Sequence, residues 1–384
     1  MRWRNSASWI PNRRSIFCCS YWMTKARCMM TWKMILLSAV GCVLALTMNA
    51  LAADQPPDVH NTTMTTRTLT GSLDRTFDEL TRDYGDPIWV GYYAPLRDDY
   101  SVCCGDWDCR HCLCKLESRR NSFNMNSTDD ILDHGDLMVL VRIDDHEIDR
   151  VRAFSEDCRL DADDVPFIWL NDVSPSASIQ WLSGLVEAGE RRYDDDDVIE
   201  KAISTIALHD DPAVLPALKR FVDHDQPEEL REETVFWIGS VGGHESVDVL
   251  LHILDTDPSS EVREKVVFAL TLPDVPEATD ALIQIARNDR DHEMRGNALF
   301  WLSNEAGERA AAAIEDALEN DPDTEVKERA VFALSNLPND QGIPKLIHVA
   351  RTNRNPEVRK QAIFWLGQSE DPRVLDFFEE ILSD

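Results

Sequence analysis

The C-terminal half of the chain repeats one apolar pattern every 32 residues. A phenylalanine returns at this interval, together with an apolar residue two places after it and another six places before it. The repeated phenylalanines are Phe236, Phe268, Phe300, Phe332 and Phe364. Within one block, the apolar positions 262, 266, 269 and 270 lie on one face of a helix. A fixed period of this length predicts a solenoid in which helical hairpins stack on one another.

A second apolar row recurs with the same period after a short loop and predicts the second helix of each hairpin. Its members are Leu218, Leu250, Leu282, Ile314, Leu346 and Phe378. Turn and cap residues, as in 257–260 and 321–324, separate the blocks. Because one hairpin cannot bury its apolar face alone, six stacked hairpins are expected over residues 197–384.

Each block contains Glu-Val-Arg or a variant of it, then a small or apolar run and Ala-Leu, most clearly at 325–334 and 357–367. This pattern resembles the HEAT-like repeat of the phycobilisome-lyase type. The closing stretch 362–368 resembles that of exported bacterial HEAT-repeat proteins of unassigned role. The resemblance implies an armadillo-like helical solenoid. It implies little about function, because scaffolds, lyases and hydroxylases all use this repeat.

One position departs from the family pattern, which keeps a small residue directly before the leucine. Small and large residues alternate there, which gives a superperiod of 64 residues: Thr205, Trp237, Ala269, Trp301, Ala333 and Trp365. The favoured interpretation is packing, in which each tryptophan fills space next to an alanine of a neighbouring helix. The alternative is an aromatic ladder that faces a ligand groove.

A polar row accompanies the apolar ones. Basic residues recur in the first helix at Arg231, Arg263, Arg295, Lys327 and Arg359. The preceding loops carry Asp225, Asp257, Asp289, Asp321 and Asn353. We expect Asp–Arg pairs that join neighbouring repeats, with an anion site along the arginine row as the alternative.

Residues 54–174 show a period of two instead. Segments 136–143 and 147–154 predict a strand pair, 166–170 a third strand, and 67–84 either a helix or a strand. Residues 174–188 predict a helix that caps the first repeat, and the acidic run 194–197 a solvated turn. The chain is therefore predicted to be α+β. It would have a small, mainly β domain over 54–174, a capping helix and linker over 175–196, and the solenoid over 197–384.

The first 53 residues have the pattern of a targeting segment. They contain seven basic residues and no acidic one, and an apolar run from 34 to 51 leads to Ala50-Leu51-Ala52. This pattern predicts a cleaved signal peptide and a periplasmic or extracellular protein without a membrane anchor. The alternative is an uncleaved anchor, because about 18 apolar residues are close to the minimum for crossing a bilayer.

Net charge narrows the class of partner. After cleavage, all 70 acidic residues remain against 32 of the 39 basic ones, which leaves a formal charge of about −38. Such a surface repels phosphate backbones, so nucleic acid is not expected as a partner. A protein partner fits better, although the acidity alone can also serve solubility.

Six cysteines remain after cleavage, and all of them precede the repeats. They are Cys103, Cys104, Cys109, Cys112, Cys114 and Cys158. An even number in an exported chain favours disulfides, with Cys158 joining the cluster to a strand. Two alternatives stay open: a zinc site using Cys109, His111, Cys112 and Cys114, or a redox-active pair of Cys109 and Cys112.

The sequence favours binding over catalysis. The resemblance includes deoxyhypusine hydroxylase, whose iron ligands are His-Glu pairs in the first helix of the repeat. The matching positions here, such as 232–233 and 264–265, contain no histidine, and His244-Glu245 and His292-Glu293 are out of register. We therefore expect a protein-binding scaffold without cofactor, metal or catalytic residues. The alternatives are an oxidoreductase or metal-dependent enzyme at the cysteines, a lyase-like or hydroxylase-like activity of the family, and a simple spacer.

Overall fold

A computed structural model describes residues 55–98, 100–104, 113–118, 123–126, 135–189, 196–304, 308–337 and 341–383. The predicted signal peptide over 1–53 and three members of the cysteine cluster, Cys109, His111 and Cys112, lie outside these residues. Residues 56–384 form one compact unit, and the predicted limits between domains stay predictions. Within the described part of the chain, none of the helices has the length and apolar character needed to cross a bilayer.

The region before the repeats holds ten described strands and two helices. The strands are β1 Val59–His60, β2 Met64–Thr68, β3 Ile88–Pro95, β4 Ser101–Cys104, β5 Leu113–Lys115, β6 Phe123–Asn126, β7 Asp136–Asp144, β8 Glu147–Ser155, β9 Arg159–Asp161 and β10 Phe167–Asn171. The helices are α1 Leu73–Asp83 and α2 Pro175–Gly189.

The main sheet has five strands in the order β2-β10-β3-β7-β8. Strand β10 pairs in parallel with both β2 and β3, and β3-β7-β8 are antiparallel. Two smaller groups, β1-β9-β5 and β4-β6, lie beside it. Asp145 and His146 form the tight β7–β8 turn with positive φ values, the conformation such hairpin turns require.

Four strands of the main sheet, β10, β3, β7 and β8, are buried on both faces, whereas the edge strand β2 is mostly exposed. On one face, side chains such as Val90, Val139 and Ile168 join a core that continues through the helices to the end of the chain. On the other face, Trp89 and Trp169 belong to a second core that includes residues of β5 and β9. This double burial explains why β3 reads as a nearly continuous apolar run and gives no alternating signal in the sequence.

Twelve described helices follow and form six hairpins. They are α3 Asp196–Leu208, α4 Val214–Phe221, α5 Glu228–Val241, α6 Gly243–Thr256, α7 Ser260–Ala269, α8 Pro276–Asn288, α9 His292–Leu302, α10 Glu308–Asn320, α11 Thr324–Ser335, α12 Gly342–Thr352, α13 Pro356–Leu366 and α14 Pro372–Ser383. The first helix of every hairpin begins 32 residues after the previous one. The predicted α+β fold with a C-terminal helical solenoid is therefore confirmed.

Side-chain caps fix where these first helices begin. Ser259 accepts from the backbone N–H of Val262, and Asp291, Asp323 and Asn355 each accept from the N–H of a glutamate two places later. Each cap satisfies a backbone N–H that has no partner inside the helix. The 32-residue period of the sequence is therefore also the interval at which the first helices begin in the structure.

The strand region and the first hairpins share a buried junction. Helix α2 packs on α3, and Phe77 of α1 stacks on Trp181 of α2 with ring centroids 3.9 Å apart. The segment after β3 extends the contact: the Arg97 guanidinium donates to the carbonyl of Val241 at 2.9 Å, and the Tyr100 hydroxyl lies 2.8 Å from Ser240 Oγ. Residues about 140 positions apart are thereby held together.

The shorter predictions for this region are mostly correct. The strand pair over 136–154, the strand near 166–170 and the helix from 174 are all present. The ambiguous segment 67–84 contains both types of structure, because β2 ends at Thr68 and α1 begins at Leu73 after the Ser72 cap.

Candidate functional site

A continuous row of aromatic rings runs along the first helices of five hairpins. We call it the aromatic ridge, and its members are Phe236, Trp237, Phe268, Phe300, Trp301, Phe332, Phe364 and Trp365. Each phenylalanine lies at the same point of its helix, so stacking the hairpins aligns the rings. The ridge exists because the 32-residue period places the same residue type at the same point of each helix.

The alternation of tryptophan and alanine determines how the rings of the ridge meet. Where the next helix carries alanine, phenylalanines stack directly, as Phe300 does on Phe332 with centroids 6.0 Å apart. Where the next helix carries tryptophan, its indole meets the earlier phenylalanine, as Trp301 meets Phe268 at 4.7 Å. Each tryptophan also contacts the phenylalanine before it edge to face, at 4.9 Å in the case of Phe300 and Trp301. These geometries are favourable for aromatic pairs.

The ridge lies at the surface. Trp237 is buried, Trp301 and Trp365 are half-buried, and Phe300 and Phe364 are 37% and 53% exposed. The tryptophans therefore do pack between neighbouring repeats, but against phenylalanine rings that remain partly open to solvent. The ligand groove of the alternative interpretation stays a prediction.

Glutamates border the ridge on its first-turn side. The residue seven places before each ridge phenylalanine is an exposed glutamate: Glu229, Glu261, Glu293, Glu325 and Glu357. Glu264 lies nearer the ridge, and its pKa is raised by partial burial and by the carboxylates of Glu293, Glu261 and Asp291. A group whose neutral form is favoured by neighbouring carboxylates reports a local negative potential. The face therefore combines apolar rings with an acidic border.

Buried ion pairs hold two of the helices that carry tryptophan, α5 and α9. Arg231 donates to Asp257 through Nε at 2.8 Å and Nη2 at 3.1 Å, and Arg295 binds Asp321 in the same way at 2.7 and 3.0 Å. Each aspartate precedes the first helix of the next hairpin, so each pair joins two repeats. These arginines are taken up by their pairs and are not open to an external anion.

The arginines of α7 and of α13, the third helix that carries tryptophan, bind backbone carbonyls of the loop before their own helix. Arg263 donates to the backbone carbonyl of Asp257 at 3.0 Å, and Arg359 donates to that of Asn353 at 2.8 Å.

Trp237 and Ala269 occupy the corresponding alternating positions of α5 and α7, and Gly239 allows these helices to approach. A Cβ at Gly239 would lie 2.5 Å from the carbonyl oxygen of Ala269. Thr205 and Ala333, the other small residues of this row, are buried.

A serine and a histidine that are far apart in the sequence meet at the junction. His209 Nε2 lies 2.9 Å from Ser178 Oγ, which lies 2.9 Å from the hydroxyl of Tyr92, while Nδ1 faces the carbonyl oxygen of Thr205 at 2.7 Å. Burial lowers the pKa of His209 to about 4, so the ring is neutral near pH 7. Ser178 is fully buried, so no substrate reaches this pair. This series of hydrogen bonds joins β3, α2 and α3, so we interpret it as a structural network.

The cysteine cluster is only partly described. The sulfur atoms of Cys103 and Cys158 lie in disulfide geometry with Cα atoms 5.7 Å apart, and Cys114 is also placed in a disulfide. The backbone of Cys104 lies in β4. The remaining members of the predicted zinc and redox sets are outside the described residues. Among the residues described, one group of three metal-type ligands comes together, and Asp157 joins the Cys103–Cys158 pair in it.

The histidines singled out in the sequence lie at the surface. His244 is paired with Glu277 at 3.1 Å, and His292 is 3.9 Å from Glu325, so the two are in different hairpins and do not form one site. His252 and His348 are both exposed on second helices, α6 and α12. None of these positions gives, within the described chain, a set of ligands directed at one point.

A shallow pocket of about 280 Å³ lies between α1, α2 and the β7–β8 turn. Asp74, Asp78 and Glu147 contribute to its lining, and His146 Nδ1 faces the carbonyl oxygen of Thr81 at 3.0 Å. The buried Phe77–Trp181 stack forms its floor. The Thr81 hydroxyl in this lining donates to the backbone carbonyl of Phe77 at 3.0 Å, and we assign the pocket no chemistry.

Comparisons with known proteins agree with this architecture. A family model described as HEAT repeats matches residues 182–271, 223–303, 247–335 and 311–384, which together span more than half of the chain. No significant match was found among curated protein sequences.

Solved structures with similar helical repeats come from several kinds of protein. Human deoxyhypusine hydroxylase in complex with glycerol is 18% identical, with 54% of this chain and 92% of that chain covered and a TM-score of 0.26. The complex of CpcE and CpcF of phycocyanin lyase from Nostoc sp. PCC7120 is 18% identical, with 41% and 98% covered and a TM-score of 0.32. A Kap95p–RanGDP structure is 16% identical, with 55% and 32% covered and a TM-score of 0.36.

At these identities and scores, the structural comparisons carry no argument about what this chain binds or catalyses. The match to the family model rests on the repeat itself, which supplies the period, the hairpins and the stacked core described above. The chain belongs to the family of HEAT-repeat proteins.

Proposed function

We propose that this protein is an exported scaffold that binds another protein through the aromatic ridge and its glutamate border, without catalysis of its own. The observation that carries the proposal is the continuity of the ridge, whose rings contact one another from Phe236 to Phe364 across five hairpins. Extended surfaces of this kind are the usual binding surfaces of solenoids. Contiguous exposed apolar area on a soluble protein marks an interaction site more often than isolated apolar residues do.

The chemistry of the face favours a partner that combines apolar and basic side chains. Aromatic rings dominate the energetically important centres of protein interfaces, and they attract arginine and lysine through their π faces. The glutamate border adds a negative potential around the rings, and the raised pKa of Glu264 reports that potential. The net charge of the chain acts in the same direction by speeding the approach of a basic partner.

Export is part of the proposal and rests on the sequence. The basic and apolar segments before residue 53 support secretion to the periplasm or the outside of the cell. The geometry of Cys103 and Cys158 supports an oxidising compartment. N-terminal sequencing of protein purified from its native compartment should give a mature start near residue 53. A start at the first methionine would support the uncleaved anchor instead.

The ridge can be tested by photo-crosslinking in the producing cells. A crosslinking amino acid in place of Phe300 should give an adduct with one main protein. The same substitution at His348, which lies on the surface of α12, should not give that adduct and is the matched control. Adducts from position 348 alone would place the binding surface on the second helices. The absence of any adduct, together with turnover of a small molecule by the pure protein, would contradict the scaffold.

Counting free thiols and bound metal in the purified protein separates the scaffold from an enzyme acting at the cysteines. The proposal expects no metal and, in protein from an oxidising compartment, no free thiol among the six cysteines of the mature chain. A reactive pair of thiols or one bound zinc ion per chain would support the enzyme.

A further inference from the structure

The last hairpin exposes apolar side chains at positions that are buried in every earlier hairpin. Ile363 of α13 is 39% exposed. Its equivalents, spaced by 32 residues, are at most 1% exposed and are Ile203, Val235, Val267, Leu299 and Val331. In each earlier case the first helix of the next hairpin packs on the helix that carries this position. Among the described residues, no hairpin packs over Ile363.

Helix α14 shows the same difference more strongly. Leu382 is 84% exposed, whereas its equivalents are at most 8% exposed and are Val222, Leu254, Ala286, Leu318 and Ala350. Ile381 is 41% exposed, against at most 7% for Phe221, Ile253, Ile285, Ala317 and Val349. Soluble solenoids usually close their ends with repeats that have a polar outer face. This end carries the side chains of an internal repeat instead.

The basic side chain of Arg359 lies at the same end of the array. Arg359 of α13 is the equivalent of Arg231 and Arg295, and its Nη1 binds the preceding loop as theirs do. In those two helices, Nε and Nη2 hold the aspartate that precedes the next hairpin. Among the described residues, no acceptor faces these two nitrogens of Arg359. The end therefore presents an apolar face and a half-exposed guanidinium. Both lie at the repeat positions that hold the next hairpin inside the array.

We propose that this open end, formed by α13 and α14, docks a helical hairpin of a partner protein that carries an aspartate directly before its first helix. The occupant is defined by what covers the equivalent surfaces: Asp257 followed by α7 and α8, and Asp321 followed by α11 and α12. The apolar face of the hairpin would cover Ile363 and Leu382, and its carboxylate would accept two hydrogen bonds from Arg359. This surface is separate from the aromatic ridge and does not depend on the function proposed for the ridge.

A second copy of this chain fits the surface less well. Its hairpins are already stacked, and the side chains of Asp257 and Asp321 are almost fully buried in their own ion pairs. The other end of its array is covered by α2, which packs on α3. A copy therefore has no free hairpin of the required kind to offer among its described residues.

The capacity of the surface is tested by extending the full chain. A copy of residues 321–352, joined directly after Asp384, places the copied Asp321 at 26 residues beyond Arg359, the spacing of the two internal pairs. We expect the extension to add helical signal and to raise the melting temperature by about 5 °C or more. In the control extension the copied segment carries the change Asp321→Asn, which should remove about half of the gain. Arg359→Gln in the extended chain should cause the same loss, and the two changes together should not add.

Docking from another molecule is tested with the same segment as a separate peptide. A labelled peptide of residues 321–352 should bind the full-length chain about tenfold more tightly than it binds the extended chain or the Arg359→Gln variant. The proposal is overturned if the extension stays unfolded, if the aspartate change has no effect, or if the peptide binds all three proteins equally or not at all. It is also overturned if the full chain is a dimer that Leu382→Asp dissociates, because the occupant is then a second copy. Crosslinking at Phe300 should be unchanged in the extended chain, which separates this result from the test of the ridge.

Discussion

The repeat array and the strand region are built in opposite ways. In the array, each hairpin packs on the hairpins directly before and after it along the chain. In the strand region, the main sheet places β10, near residue 170, between β2 and β3, which come about 75 to 105 residues earlier. The array is stabilised by the same neighbour contact repeated along its six hairpins. The strand region depends on single contacts that close long loops, each of which carries an entropic cost.

The two regions also differ in how a local change spreads. Loss of one contact in the array weakens one interface between neighbours, because stability in such arrays is close to a sum over repeats and their interfaces. At the junction, one buried network touches β3, α2 and α3 together. A change there acts on both regions. Three experiments test this comparison, starting with the one that should have the largest effect.

Asp257→Ala is expected to reduce the free energy of unfolding by about 3–5 kcal/mol, because it leaves the buried guanidinium of Arg231 without its carboxylate. Urea denaturation followed by circular dichroism measures the loss. Asp289→Ala is the matched control. Asp289 occupies the same loop position and accepts from the backbone N–H of Asp291 at 2.8 Å, as Asp257 accepts from Ser259 at 2.9 Å.

Asp289 lies one repeat after Asp257 and, among the described contacts, has no arginine pair of the kind that Asp257 forms. Its replacement should cost about 1 kcal/mol, the usual net effect of losing one hydrogen bond. The difference between the two variants isolates the ion pair. Equal losses would mean that the alternation of repeats has no energetic consequence, and the array would then be uniform.

Acidification should act at the junction through His209. Its pKa is about 4 in the folded protein, against an ordinary value of 6.5 for an exposed histidine, so between these values the unfolded chain binds a proton that the folded chain does not. The stability from neutral His209 is complete above pH 6.5 and is lost as the pH falls towards 4. The loss at pH 4 should be about 3 kcal/mol.

The measurement is the free energy of unfolding as a function of pH, compared between the wild type and His209→Gln. The variant should be less stable at pH 7 and should lose less on acidification, since the carboxylates that also titrate are common to both proteins. Parallel pH profiles would show that His209 does not contribute to the pH dependence. Both the strand region and the array should respond, which the tryptophan fluorescence and the helical signal report together.

The smallest effect is expected from Tyr100→Phe, which removes one hydroxyl from the segment that links the strand region to α5. The hydroxyl lies 2.8 Å from Ser240 Oγ in a partly buried position, so the loss should be about 1 kcal/mol. Tyr84→Phe is the control, because its hydroxyl accepts an exposed hydrogen bond from Arg67 and should matter little. Thermal unfolding of the wild type and the two variants measures both losses of stability. A larger effect from Tyr84→Phe would show that this link does not stabilise the junction.

The sequence predicts the array far better than it predicts the strand region. The row of Phe268 and its repeats fixes the hairpins to within a few residues, because each helix meets only helices with the same pattern. Strand β3 gives no such signal, since both of its faces are buried and its residues do not alternate. The pairing of β10 with β2 and β3 is invisible for a similar reason: strand order is not encoded in any local pattern.

The candidate site shows the same division. The identities and spacing of the ridge residues are evident in the sequence, and so is the alternation of Trp301 with Ala269. Whether those rings face the core or the solvent is not evident, because half-buried and buried aromatic rows have similar patterns. The contact of Ser178 with His209 gives no sequence signal at all, since Ser178 lies in α2 and His209 lies 31 positions later, directly after α3.

The sequence alone determined the repeat, its period and the membership of the chain in the HEAT family. Each hairpin packs on its neighbours through the same contact, so the same apolar residues must recur in every repeat. The tertiary structure decided which rings are open to solvent, which arginines form buried ion pairs, and which apolar side chains of α13 and α14 are exposed. These properties depend on what lies beside each residue in space. Leu382 occupies a repeat position whose other members are buried, and only its surroundings in the tertiary structure show that it is exposed.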